Sequence, residues 1–261
     1  MCSVVILWRP GHDWPVIMAA NRDEMVDRPW LPPARHWPDR PNVIAGLDRL
    51  AGGSWLGVND EGVVAGVLNR MNSLGPSPGK RSRGELVLEA LDHATARDAV
   101  QALADLDPAA YRPFNMVVAD AADAFWLRNP AGAGVVAAMP LPPGVSMITA
   151  YDRNDPVSAR TARYLPLFQA AAPPDPGDAG RAEPDSAEEG DWSAWERLVA
   201  CRDHDPARGP AAAMEVVTDH GFQTTSSSLI ALPGVGRARR RPVWRFAAGL
   251  PSEVPFRPIE F

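Results

Sequence analysis

Four residues in the first third of this 261-residue chain carry groups suited to acyl-transfer chemistry: Cys2, Arg22, Asp23 and Asn69. Cys2 follows the initiator methionine, which is normally trimmed before a side chain this small. Once trimmed, the chain begins with a cysteine that holds a thiol and an α-amine on one residue. Their ordinary pKa values, about 8.5 and about 7.7–8.0, suit a nucleophile and its own base near neutrality. The run Asn21-Arg22-Asp23-Glu24 places a cation and carboxylates directly after an apolar segment. Beside an N-terminal cysteine, such groups are expected to favour the thiolate and orient the amine. Asn69 ends another apolar segment, where a side-chain amide can donate to a developing oxyanion, a role worth about 3 kcal/mol elsewhere. Each residue also has a plain structural reading: a buried small cysteine, a solvated charged turn, a hydrogen-bonded turn asparagine.

The elements around these residues decide whether they meet. Ser3–Trp8 alternates as a strand, Gly11-His12-Asp13 is a turn, and Pro15–Ala20 is a second strand. Closing that hairpin brings position 2 opposite positions 21–23. A second hairpin joins residues 55–59 to 63–69 through Asp60-Glu61-Gly62, and a third joins residues 115–120 to 124–128. Helices are expected at about 84–93, from the capping box at Thr95 to about 105, at 157–171, and at 192–201 behind Asp191. A strand near 145–149 precedes the helix at 157–171, and strands near 228–232 and 242–246 close the chain. Hairpins rather than βαβ units dominate, which predicts an α+β protein with mostly antiparallel sheets. The whole chain, 1–261, reads as one domain, with a mobile acidic loop at about 172–190 that is rich in Pro, Gly and Ala.

Composition sets the outer bounds. A hydrophobic content of 46% and a charged content of 22% are those of an ordinary soluble domain. The net charge of −6 argues against nucleic acid as the main partner, because phosphate binding needs a basic face. Two cysteines, Cys2 and Cys201, are too few for a disulfide scaffold. The first apolar run is too short for a secretory leader or a membrane span. A cytoplasmic protein that binds a small molecule is the expectation, and its oligomeric state is open.

Several ordered motifs together carry a family resemblance. They are Met1-Cys2, Asn21-Arg22-Asp23-Glu24 with Arg28-Pro29, Gly52-Gly53-Ser54-Trp55-Leu56-Gly57-Val58-Asn59, Leu68-Asn69-Arg70, Ser82-Arg83-Gly84-Glu85-Leu86 and Phe114–Asp120. The chain resembles the NRDE family, also called the transport and Golgi organisation family, which in turn resembles N-terminal nucleophile hydrolases such as bile salt hydrolase and penicillin V acylase. That resemblance implies an αββα sandwich of two mostly antiparallel sheets flanked by helices. It also implies Cys2 as nucleophile, Arg22 with Asp23 or Glu24 beside it, and Asn69 at the oxyanion hole. The implied reaction is cleavage of a linear amide without a cofactor. Two positions depart from the pattern: Thr149-Ala150 replaces Ser-Asn, and Gln223-Thr224-Thr225 replaces Gly-Thr-Arg. Asn154, Arg153 and Arg160 are candidates to stand in for the lost groups. The family also includes proteins implicated in haem trafficking, so a non-catalytic carrier with haem as ligand is the alternative.

Other signals are weaker. Cys201 and His204 have the spacing of two metal ligands without a second pair, so no metal site is expected. His12, His36, His93, His204 and His220 form no haem pattern. Arg237, Arg239, Arg240 and Arg241 read as a solvated hairpin tip. Trp8, Trp14, Trp30, Trp37 and Trp55 are core residues or the lining of an apolar pocket.

Overall fold

Apolar alternation in the first strand is filled on both faces. In the computed structural model, β1 (Ser3–Trp8) buries every residue. Val4, Ile6 and Trp8 pack into one core, and Val5 and Leu7 into another. A strand with two apolar faces must lie between two layers. The structure describes residues 2–177, 190–235 and 240–261. Most of the acidic loop expected at 172–190 therefore lies outside the described residues, as do Met1, Arg237 and Arg239.

The layer containing β1 also holds β2 (Val16–Met25), β10 (Gly144–Ile148), β11 (Phe222–Leu232), β12 (Val243–Ala247) and β13 (Arg257–Ile259). Their order is β10-β1-β2-β11-β12-β13, antiparallel throughout. The second sheet runs in chain order through β3 (Trp30–Ala34), β4 (Val43–Asp48), β5 (Leu56–Asn59), β6 (Val64–Asn69), β7 (Phe114–Ala119), β8 (Ala124–Asn129) and β9 (Ala137–Pro140). Helices α1 (Gly84–Leu91) and α2 (Ala96–Ala104) cover its outer face with Leu86, Leu91, Ala99 and Leu103. Helices α3 (Ala159–Ala170) and α4 (Ser193–Val199) cover the first sheet with Tyr164, Phe168 and Trp195. The middle core, including Ile6, Met18, Ile44 and Leu56, joins the two sheets. Each such side chain contributes about 1.5–3 kcal/mol when fully buried. The result is the αββα sandwich expected from the sequence.

The Thr95 cap forms as expected, whereas the N-cap of α4 is Trp192 and Asp191 stands one residue before it. Thr95 Oγ1 accepts from the Asp98 N–H at the start of α2, and Asp191 Oδ1 accepts from the Ser193 N–H at α4. The strand expected to end at Ala20 is longer: β2 continues through Asn21–Glu24 to Met25, because Phe222–Thr224 of β11 supplies its partners.

Two close approaches shape the ground beside Cys2. A Cβ on Gly46 would lie 2.3 Å from the Trp55 ring, so only glycine leaves room for that indole. A Cβ on Gly53 would lie 2.4 Å from the Gly84 carbonyl carbon, where the Ser54 N–H donates to Gly84 O at 3.0 Å. This contact pins the start of α1 against the loop before β5. Gly46→Ala is expected to cost about 1–3 kcal/mol, as overpacked cores do. Trp55 cannot yield freely, since its ring stacks edge-on against Trp30 at 5.7 Å and lies under Arg22. An unchanged urea midpoint for Gly46→Ala would refute the close-packing argument.

Candidate active site

Strand register brings Cys2 to the motif in β2. Ser3 pairs with Asn21, so Cys2 lies level with Arg22. Side chains alternate across the sheet, and the two faces have different tasks. Cys2 and Arg22 face the space between the sheets, on the side of Val4 and Ala20. Asn21 and Asp23 face the helices. Asn21 Nδ2 donates to the carbonyls of Val199 at 2.9 Å and Met214 at 3.0 Å, and Asn21 Oδ1 accepts from Ser227. Asp23 Oδ1 accepts from Thr224 Oγ1 at 2.7 Å, and its Oδ2 from Arg160 Nη1 at 3.0 Å.

Arg22 is only 5% exposed and fixed from several sides. Nη1 donates to Thr225 Oγ1 at 2.9 Å, Nη2 lies 3.8 Å from Asp48, and the guanidinium sits 4.5 Å from the Trp55 ring centre. Thr224 and Thr225 reach Asp23 and Arg22 on opposite faces, as successive strand residues do, and the register of β11 slips between Thr224 and Ser226, so that Thr225 is the extra residue of a bulge. Asp48 also takes the Arg28 Nε at 2.7 Å.

The Cys2 thiol donates to the Asp23 carbonyl oxygen at 3.6 Å. Burial pushes this thiol up from its ordinary pKa. The negative charge of Asp23 adds to that, and the Arg22 guanidinium opposes it more weakly. The expected thiolate-favouring effect of the neighbouring charges is thus present in sign for Arg22 and overruled by desolvation. Burial likewise pushes the Arg22 guanidinium down, against the pull of the Cys2, Glu24 and Asp48 charges.

These residues open onto a cleft of about 430 Å³, within the usual range for small-molecule sites. Cys2, Arg22, Asp23, Glu24 and Asn69 all line it. Asn69 stands at the end of β6, with its backbone paired to Phe114. Of the tryptophans, only Trp55 borders the cleft. Trp8 and Trp14 are core residues, and Trp30 braces Trp55.

Of the candidates to replace the departed family positions, Arg160 is the one bonded to the motif. It comes from the first turn of α3, donates to Asp23, and directs its other terminal nitrogen to Ala211 O at 3.0 Å. Asn154 Oδ1 instead accepts from the Met147 N–H, and Arg153 reaches Ser146. Thr149 and Ala150 do not border the cleft. Both described cysteines are free, and the His204 ring is bonded to Arg202 O. Arg240 lies over Trp14, and Arg241 donates to Phe261 O. No described helix is long and apolar enough to cross a membrane.

Several solved structures share this fold. A Caenorhabditis elegans ortholog of N-acylethanolamine-hydrolyzing acid amidase matches with a TM-score of 0.56 at 13% identity, over 90% of this chain and 94% of its own. Penicillin V acylase from Agrobacterium tumefaciens matches at 0.50 and 15%, over 95% and 83%. A variant of conjugated bile acid hydrolase from Clostridium perfringens matches at 0.50 and 11%, over 100% and 97%. Likeness at these identities defines the fold class, an N-terminal nucleophile hydrolase-like α+β sandwich. The family is set by sequence: the family model described as Transport and Golgi organisation 2 matches residues 1–154, and the chain belongs to that family. No curated protein matches it.

Proposed function

We propose that this protein is a cysteine amidohydrolase that cleaves linear amides once Cys2 is the first residue of the chain. The observation that carries the reading is the convergence of Cys2, Arg22 and Asn69 on one cleft, backed by Asp23, whose backbone carbonyl accepts from the Cys2 thiol. The Cys2 α-amine takes the thiol proton as Sγ attacks the substrate carbonyl carbon. Asn69 donates its amide N–H to the oxyanion that develops. Collapse breaks the C–N bond, the amine leaves with the proton, and an acyl thioester remains on Sγ. Water then attacks the thioester, releasing the carboxylic acid and restoring the thiol. Arg22 and Asp23 act as positioning residues. Trp55 and Thr225 hold the first, and Thr224 and Arg160 hold the second.

The mechanism needs a free Cys2 amine, so intact mass comes first. A mass that retains any residue before Cys2 in the purified, active protein would rule out the amine as base. Hydrolysis is then assayed on N-acyl amino acids, acyl-homoserine lactones and penicillin V.

One observation favours a second reading, a carrier of the same fold that does not turn over. The upward push on the Cys2 thiol keeps it in its less nucleophilic form. Haem is the ligand that the family resemblance implies. The cleft offers Cys2 as its one sulfur ligand, while none of the described histidines borders it. Cationic side chains in the lining suit propionate groups. Haemin titration followed by Soret absorbance tests this reading, and the lack of a saturable shift would reject it.

A further inference from the structure

The protein carries 32 acidic side chains against 26 Lys and Arg, and its cations commonly sit against carboxylates. Arg35 pairs with Asp60, Arg40 with Asp92, Arg97 with Asp123, Arg128 with Asp152, and Arg202 with Glu215. One part of the cleft lining departs from this rule. Lys80, Arg83 and Arg112 border it together with Gly75, Pro76, Ser77 and Ser82; the Glu24 and Asp48 carboxylates of the same lining pair with Arg28, and the described hydrogen bonds of the three cations go to carbonyls and one hydroxyl. Arg83 directs Nη1 to the Ser73 carbonyl at 2.8 Å, the Ser73 hydroxyl at 3.0 Å and the Pro113 carbonyl at 3.1 Å. Arg112 donates to the carbonyls of Asn72, Leu74, Gly75 and Pro76. Lys80 donates to the Ala109 carbonyl. All these acceptors are neutral, so they fix the cations in place without cancelling their charge.

The electrostatic consequence is visible on Arg83. Burial, and then the like charge of Arg112, push its guanidinium down to about 10 from the ordinary arginine value, against weaker opposing pulls from Cys2 and Glu24. Two cations held beside each other on a half-buried surface repel, and an anion placed between them relieves both the repulsion and the desolvation. The loop geometry keeps them there. The Gly53–Gly84 contact seats α1, and with it Arg83, against the loop that precedes Trp55.

We infer that Lys80, Arg83 and Arg112 form an oxyanion-binding subsite, so that the molecule occupying the Cys2 cleft carries a carboxylate or phosphate group away from its amide. This inference deepens the amidohydrolase reading by naming a feature of the substrate, and its test reads binding rather than turnover. The chemistry shared by carboxylate and phosphate is a charged, multiply accepting oxygen group. Guanidinium forks match either one.

The test uses the full chain with Cys2→Ala, which removes chemistry, and calorimetric titration with three matched probes: N-octanoylglycine, N-octanoylglycinamide and N-octanoyl phosphoethanolamine. The two anions are expected to bind at least about tenfold tighter than the neutral amide, the value of one or two charge-assisted hydrogen bonds. Whichever anion binds tighter identifies the source of the oxyanion. Arg83→Gln and Arg112→Gln should each remove most of the advantage and leave the neutral probe unaffected. Arg83 also ties Ser73 to Pro113, so its variant is checked for folding by circular dichroism. Lys80→Gln, whose side chain is exposed, supplies an independent arm and should weaken the anions alone. Equal binding of charged and neutral probes, an advantage that survives the Arg112 and Lys80 changes, or no binding of any probe would overturn the inference. Failure of wild type to hydrolyse the probes, with anion-selective binding intact, would count against the amidohydrolase and leave the subsite standing.

Discussion

Arg160→Ala is expected to destabilise the fold by about 3–5 kcal/mol, the cost of removing one partner from a buried ion pair. Arg160 and Asp23 have side chains 4% and 0% exposed, and their contact is 3.0 Å. Arg160 also reaches Ser3 Oγ at 3.3 Å and Ala211 O at 3.0 Å, so one guanidinium ties β1, β2 and the segment before β11 together. Alanine strips a carboxylate enclosed by protein of this counter-charge, and water cannot easily replace it. Changing both partners, Arg160→Met with Asp23→Asn, should recover a large part of the loss, because a neutral pair carries no comparable desolvation penalty. Urea unfolding of wild type, the two single variants and the double variant gives the coupling energy directly. If Arg160→Ala leaves the midpoint unchanged, the pair is not a structural anchor, and Asp23 is positioned by other means.

How much of this was legible in the sequence varies with the range of the interactions involved. The β1–β2 pairing followed from alternation and one turn, and it fixed the meeting of Cys2 with Arg22. The strand containing Gln223–Ser227 was not legible as far as it extends. Its polar run looks like a loop, and it is Asn21, Arg22 and Asp23 of β2, with the Val216 backbone, that make buried hydroxyls acceptable there. β3 was hidden by Pro32-Pro33, which the edge of a sheet tolerates. β13 contains Pro258 for the same reason. β4 has a run of three apolar residues, Val43-Ile44-Ala45, broken by Gly46, and β9 is a four-residue edge. Arg160 stood among three candidates because a helix start gives no sign of which buried carboxylate it will meet across 137 positions. The cationic wall was out of reach for a similar reason. Arg83 and Arg112 are separated by two helices in sequence, and two glycines without side chains set how closely the α1 start and the loop before β5 approach.

Cys2→Ala should abolish amide hydrolysis, and the comparison with Cys2→Ser gives the result its meaning. Alanine removes the nucleophile, so the acyl thioester cannot form. Serine keeps an attacking atom and the α-amine, yet its hydroxyl is far less nucleophilic near neutrality than a thiol with even a few per cent of thiolate. A trace of turnover in serine and none in alanine is therefore the signature of covalent catalysis. Asn69→Ala should lower kcat by about 10²–10³ with little change in KM, because its donor acts on the oxyanion rather than on the ground-state carbonyl. The burial that pushes the Cys2 thiol up adds a further mark. A higher pKa leaves a smaller thiolate fraction at any given pH. Alkylation of Cys2 by iodoacetamide, in the chain that retains Met1, should therefore rise at a higher pH than that of an ordinary free thiol. Neither cysteine variant should lose more than about 1–3 kcal/mol of stability, as expected for one small, part-buried side chain. Wild type, alanine and serine proteins that behave alike across the amide panel, with ligand binding intact, would decide for the carrier. Full activity in the alanine variant would place the chemistry on another residue altogether.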